Sequence, residues 1–461
     1  MTKNRELFES MPVPRALATL AIPTIISQLI TMIYNLADTF FIGSTDDPYK
    51  VAASSVAFVL VFAMNCLSNL FGVGGGSLIS RLLGQKRDSE AAGVASFSFY
   101  GSLLISAVYS VLLYIFMDPF LRLLGATDNT IGYATDYAMW VVVIGAIPST
   151  LGLTMSHLLR SEGYAKYASF GLGMGGVLNI LLDPLFMFVI LEPGHEVAGA
   201  AIATFISNVA VFIYFLVIYY LIRKKSVLSI SPKIMIPKRE HIFSVLAVGF
   251  PSALGSMLAC LSSIMVNKLA STHGDIEVAA IGIAKKIDML PMNVGMGLCQ
   301  GMMPLVAYNY SAGNYKRMKQ FSDTARLWGI AFAAACILVF EIFAPYLIEF
   351  FIGDAATVAL GTRMLRILCL PVPLMIVNFQ MAFTFQAMGM GKQSLLLSSL
   401  RQGLVNIPLL FLMNYLAGID GIAWTQLISD IITTVISVSV YIVMYKKLVK
   451  TSEQKLENSD I

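Results

Sequence analysis

Apolar stretches, each long enough to cross a bilayer, follow one another from about residue 15 to residue 445. Hydrocarbon leaves no water to satisfy an open backbone, so a chain of this pattern is confined to bundled membrane helices. Only 13% of the 461 residues are charged and 57% are hydrophobic, with a mean hydropathy of +0.76. That is too little charge to solvate a water-soluble globule of this length. Length and apolarity predict about twelve spans, near 15–42, 51–79, 92–117, 131–158, 166–190, 197–222, 243–271, 277–305, 322–347, 357–386, 393–416 and 420–445. The fold class expected is all-α, a polytopic membrane protein.

Basic residues alternate between the connections. Lys3, Arg5 and Arg15, then Arg81, Lys86 and Arg87, then Arg160 and Lys166 fall on one side. The long 223–240 connection, Lys316, Arg317 and Lys319, Lys392, and Lys446, Lys447 and Lys450 fall on the same side. The other connections carry acids instead, among them Asp46, Asp47, Asp128, Glu192, Glu196 and Asp354. The positive-inside rule then predicts that both termini are cytoplasmic, in a multi-pass protein of the cell membrane. Met1 to Pro14 has no cleavable signal pattern.

The basic stretch also divides the chain into related halves. Ile22-Pro23 matches Phe250-Pro251, an offset of 228, and Gly84-Gln-Lys-Arg matches Gly313-Asn-Tyr-Lys-Arg, an offset of 229 at the glycine. Gly199-Ala-Ala-Ile-Ala-Thr-Phe-Ile-Ser-Asn matches Gly421-Ile-Ala-Trp-Thr-Gln-Leu-Ile-Ser-Asp at an offset of 222. Near-constant offsets predict a duplicated six-helix unit. Six spans is an even number, so the two lobes enter from the same side and are pseudo-symmetric about an axis along the membrane normal. The expected division is an N-terminal lobe over 1–222 that holds the ion site, a basic linker over 223–240, a C-terminal lobe over 241–446 and a cytoplasmic tail over 447–461, of which 451–461 is expected to be disordered.

Ionisable residues within membrane spans are costly and usually functional. Asp183 lies in Asn179-Ile-Leu-Leu-Asp183-Pro184, where spacing of four sets Asn179 and Asp183 on one helix face. Pro184 removes a backbone donor and leaves local carbonyls unpaired. Asp38 shares a face with Tyr34 in the same way. At 1.5 Å per residue, Asp38 lies roughly 8 Å and Asp183 roughly 10 Å below the outer ends of their spans. Two carboxylates at similar depth can share a proton or coordinate a small cation. The bland alternative for Asp38 is snorkelling to the outer interface. The second half does not repeat these acids: Val266 stands at the position matching Asp38, and Asn406-Ile-Pro replaces the segment around Asp183. Ion coupling is thus expected in the first lobe alone.

In the second half, Lys285, Lys286 and Asp288 share one span; a structural pairing of lysine with Asp288 competes with a substrate contact. Met289 and Met292, with other methionines, suit a wall for varied apolar ligands, or ordinary packing. Gly72-Val-Gly-Gly-Gly-Ser lacks the lysine of a phosphate loop, and Gly171-Leu-Gly-Met-Gly-Gly follows no strand. Both are expected to serve close helix packing. His157 has no metal-ligand partner at helical spacing, and the five cysteines have no ligand spacing.

Together these segments resemble the multidrug and toxic compound extrusion (MATE) family, in its prokaryotic drug-efflux branch, over roughly residues 10–445. The resemblance is carried in order by Ala21-Ile22-Pro23, Ala37-Asp38-Thr39-Phe40-Phe41-Ile42-Gly43, Gly72-Val-Gly-Gly-Gly-Ser and Ser80-Arg81-Leu82-Leu83-Gly84. Arg160-Ser-Glu-Gly, Asn179 to Pro184, Gly199 to Thr204, and Pro304-Leu-Val-Ala-Tyr308-Asn309 complete it. It implies two six-helix lobes that expel organic, amphipathic cations in exchange for H⁺ or Na⁺ by alternating access. It sets the cation site on Asp38, Asn179, Asp183 and Thr204, with Tyr34 and Tyr137 nearby, and makes Asp288 a candidate acid of the second lobe. No cofactor is implied beyond the coupling ion, and no metal beyond Na⁺. The expected partners are small organic substrates and membrane lipids, without nucleic acid, around a monomer. A lipid-linked oligosaccharide flippase of the related superfamily is the alternative, kept open by Lys285 and Lys286. An intramembrane enzyme would need an aspartyl, serine or His-Glu-x-x-His motif, none of which occurs.

Overall fold

The computed structural model describes residues 3–45, 47–235 and 238–457, so Asp46, 236–237 of the basic linker and 458–461 of the expected tail lie outside the described residues. A short helix α1 (Lys3–Glu9) precedes α2 (Val13–Gly43), α3 (Pro48–Gly84) and α4 (Asp88–Leu123), the first three spans. Span four is bent by 52° between α5 (Ile131–Ala138), a π-helical stretch (Met139–Ile144) and α6 (Ala146–Ser161). Gly145 and Pro148 stand at that bend. Next come α7 (Ala165–Leu185), which runs into a second π stretch (Phe186–Ile190), and α8 (Glu196–Ile222).

The second half repeats the order with α9 (Arg239–Ala270), α10 (Asp275–Ser311) and α11 (Tyr315–Glu349). Its fourth span is again bent, by 43°, between α12 (Ala355–Cys369) and α13 (Val372–Ala387), with Pro371 at the break. After α14 (Gly391–Ser399) and a third π stretch (Leu400–Leu404), α15 (Asn406–Glu457) contains the last reversal of the chain. Gly418 has φ +59°, a left-handed conformation that glycine adopts without a Cβ penalty. Asn406 bonds Gln426 at 3.3 Å and Arg401 bonds Asp430 at 2.6 Å, so the segments on either side of Gly418 lie antiparallel as separate spans. The twelve-helix architecture expected from the apolar pattern is therefore the one observed. The last helix continues to Glu457, into the stretch 451–461 expected from sequence to be a tail. Polar, regularly spaced residues after the last span extend its hydrogen bonding past the apolar segment.

The apolar core shows how the lobes meet. On the face that carries both ends of the chain, one cluster joins Leu17, Leu20 and Ile79 of the first half to Val248, Met302, Leu305 and Phe385 of the second. Towards the opposite face the clusters separate. Ile42, Leu60, Tyr137 and Ala201 belong to the first lobe alone, while Ala284, Phe340, Met364 and Ala423 belong to the second. The buried cores of the two lobes are joined at the basic face and separate at the other. Helix α1 spans the closed seam: Arg5 pairs with Asp88 at 2.7 Å, while the Tyr308 hydroxyl donates to Glu9 at 2.5 Å and Arg317 Nε to the Phe8 carbonyl at 2.9 Å.

Small residues permit that closure, as expected of the glycine-rich stretches. A Cβ on Gly249 would overlap the Leu70 carbonyl, and one on Gly74 the Val245 carbonyl, so α3 and α9 touch backbone to backbone. Gly249→Val is expected to overpack this seam at a cost of about 1–3 kcal/mol, shifting the closed population by roughly 5–150-fold. In a background without native cysteines, a pair replacing Ser77 and Gln386, which bond across the seam at 2.6 Å, should cross-link correspondingly more slowly. An unchanged rate would mean that α9 accommodates the methyl groups without parting from α3.

Candidate ion site in the first lobe

The first-lobe residues are assembled by α2, α7, α8 and the bent fourth span. The four-residue spacing in α7 has its expected effect: Asn179 Nδ2 donates to Asp183 Oδ1 at 3.1 Å. The same amide reaches across to Thr204 Oγ1 of α8 at 3.2 Å. Thr204 in turn hydrogen-bonds the Tyr137 side chain, which lies within electrostatic reach of Tyr34, Asp38 and Asp183. The Tyr34 ring packs over Gly176, one turn before Asn179, where any larger residue would displace it. All six residues of the expected site therefore converge.

Their burial and pairing define its chemistry. Asp183 is fully buried and Asn179 is 3% exposed, whereas Asp38 is half-buried. Asp183 Oδ2, Asn179 Oδ1 and Asp38 Oδ1 have no hydrogen-bond donor among the described residues. No basic side chain is among the groups acting on either carboxylate. Buried acceptors without donors are rare because each forfeits its hydration. A proton, water or a small cation entering the site can satisfy all three. Carboxylate, amide and hydroxyl oxygens are ligands for hard cations, and among the described residues no cluster of three His, Cys, Asp or Glu side chains forms. The π stretch that follows Pro184 loosens the ladder beside Asp183, a geometry common at functional sites.

The second lobe is built differently, and here the structure adds what sequence inspection overlooked. Asp430 of α15 is fully buried and receives Arg401 Nε at 2.6 Å, Asn378 Nδ2 at 3.1 Å and Gln426 Nε2 at 2.9 Å. Arg401 also stacks on Phe379, 4.6 Å from the ring centre. The offset of 222 maps Thr204 onto Gln426, and Asn406, which stands in the repeat where the first half has Asn179, bonds Gln426 at 3.3 Å as Asn179 bonds Thr204. Beside that pair, the second lobe carries its own cation, Arg401, on Asp430. Arg401 and Asp430 were legible as charges within apolar spans, but only folding shows that they neutralise each other.

The remaining candidates are dispersed. Asp288 lies within reach of Asp430, Arg401 and Lys285, and its Oδ1 has no hydrogen-bond partner among the described residues. Lys285 is half-buried and Lys286 is exposed. Met292 packs against Val372, Met375 and Ile376 in the second-lobe core, and Met289 is half-buried. His157 packs on Gly72 at the seam between the lobes.

Comparison with known proteins agrees with this architecture. The MatE family model matches twice, over residues 23–185 and 251–412, one match in each half. The chain is 31% identical over 452 residues to the multidrug export protein MepA of Staphylococcus saprophyticus, covering 98% of both chains. It is equally 31% identical to MepA of Staphylococcus aureus, covering 97% of each. Among solved structures, an outward-facing multidrug resistance MATE transporter of the MOP superfamily superposes with a TM-score of 0.91 at 25% identity, covering 98% of this chain and 99% of the other. A MATE transporter in complex with MaL6 has the same fold, with a TM-score of 0.92 at 24% identity over 98% and 100% of the two chains.

Proposed function

The chain belongs to the MATE family of membrane transporters, and from that premise we propose that it is a multidrug exporter that exchanges organic cations for inward-moving H⁺ or Na⁺. The observation that carries the antiport is the set of three donorless acceptor oxygens on Asp183, Asn179 and Asp38. A positive ion or proton entering there removes the hydration demand of the buried carboxylates, and a state that completes the site is favoured over one that does not. The basic connections belong to the cytoplasmic face under the positive-inside rule, with both termini inside and the protein in the cell membrane. The buried cores are joined at the basic face and separate towards the other, which supports reading this state as the outward-facing one. There the ion enters and drug departs; parting of the basic-face seam then opens the site to the cytoplasm. The site works as a monomer, without an added cofactor, since one chain supplies both lobes.

The test is ethidium efflux from vesicles containing the purified protein, under an imposed proton gradient and then a sodium gradient. Efflux driven by one of them is expected and names the ion. No efflux under either, with protein inserted, would turn attention to the flippase alternative. That alternative is weakened by Arg401, whose charge is absorbed by Asp430 rather than offered to a lipid-linked phosphate.

A further inference from the structure

Between the lobes, well away from the ion site, a small cavity lies at the closed seam. It is lined from the first lobe by Gly76, His157 and Arg160 and from the second by Gln300, Met303 and Phe383. Arg160 is 4% exposed. Its Nη1 donates to Gln300 Oε1 at 3.2 Å, while Nε and Nη2 have no acceptor among the described residues. No carboxylate of the described residues acts on it. Neither neighbouring hydroxyl accepts from Nε or Nη2; Ser161 donates to the Leu158 carbonyl at 2.6 Å and Ser80 to the Ser161 carbonyl at 2.8 Å. A guanidinium cannot shed its charge, and a buried charge without a counter-charge is heavily penalised. The volume open to the centre of a water-sized species is about 20 Å³, room for a single such species.

We infer that this cavity is a site for one small inorganic anion, of the size of chloride, held by the free N–H groups of Arg160. Both lobes form its walls, so it exists only while the basic face is closed. Chloride bound there stabilises the outward-open state and is released when the seam parts. Export would then depend on cytoplasmic chloride as well as on the coupling ion. The inference rests on the seam and the unpaired guanidinium, and is independent of which ion or drug is carried.

Thermal unfolding of the full-length protein in detergent tests it, comparing sodium chloride with sodium gluconate and sodium sulfate at equal ionic strength. Wild type is expected to melt on the order of 2 °C higher in saturating chloride than in either other salt. Arg160→Gln should lose that difference. Gln300→Glu supplies an internal carboxylate 3.2 Å from the guanidinium; it should also lose the chloride step while melting at or above the wild-type temperature in gluconate. This second variant decides the matter if Arg160→Gln does not fold. Equal melting of wild type in chloride and gluconate would overturn the site and leave water as the occupant of the cavity. An equal rise in sulfate would reduce the effect to surface screening, and a full chloride step retained in Gln300→Glu would put the anion elsewhere.

Discussion

Gradient-driven ethidium export by Asp183→Asn is expected to fall to the level of protein-free vesicles, while the protein still inserts and melts within about 2 °C of wild type. The two halves of that result have different causes. Asparagine keeps the shape of the side chain and can still meet Asn179, whose amide lies 3.1 Å from Asp183 Oδ1. What it loses is the negative charge, and with it any difference between the loaded and unloaded states. A ligand that makes no differential interaction with two states cannot shift their balance, so the driving gradient no longer reaches the lobe. Full export by the variant would remove Asp183 from the coupling site. Loss of folding together with export would instead make it a structural residue. Asp38 is half-buried and farther from the packed interior; its replacement by Asn should weaken export less, measurable as a lower rate at the same gradient.

In the second lobe the largest expected effect is on stability. Asp430→Ala should cost about 3–5 kcal/mol, because Arg401 would be left buried with its charge uncompensated. Arg401 is 6% exposed and its Nε lies 2.6 Å from the carboxylate. The paired replacement Arg401→Met with Asp430→Leu removes both charges together and is expected to recover most of that loss, since apolar residues often substitute for a buried ion pair without penalty. Thermal unfolding of the single and double variants orders them. A double variant as unstable as the single one would show that packing against Phe379 and the bonds from Asn378 and Gln426, rather than charge balance, hold the site. Retention of gradient-driven export by the double variant would support coupling through the first lobe alone. Its loss would assign the second lobe a share, with Asp288 as the nearest remaining acid.

Much of this protein follows from local pattern. Span number, the repeat and the alternation of basic connections depend on composition and period along the chain, and these survive without knowledge of contacts. The Asn179–Asp183 contact is equally local, because four residues make just over one helical turn. Tertiary structure decided the rest. That Tyr137 meets Thr204, or that Arg160 faces a cavity without an acid, depends on how separate helices approach, and helical spacing holds no information about it. Arg401 and Asp430 illustrate the point most clearly. Each alone is an intramembrane charge that invites a functional role, yet brought to 2.6 Å they cancel. Asp38 and Asp183 fold into a site with no basic partner among the described residues. Sequence determined which residues are costly in a membrane; only the packing of the helices decided which of those costs are met within the protein and which are left unmet.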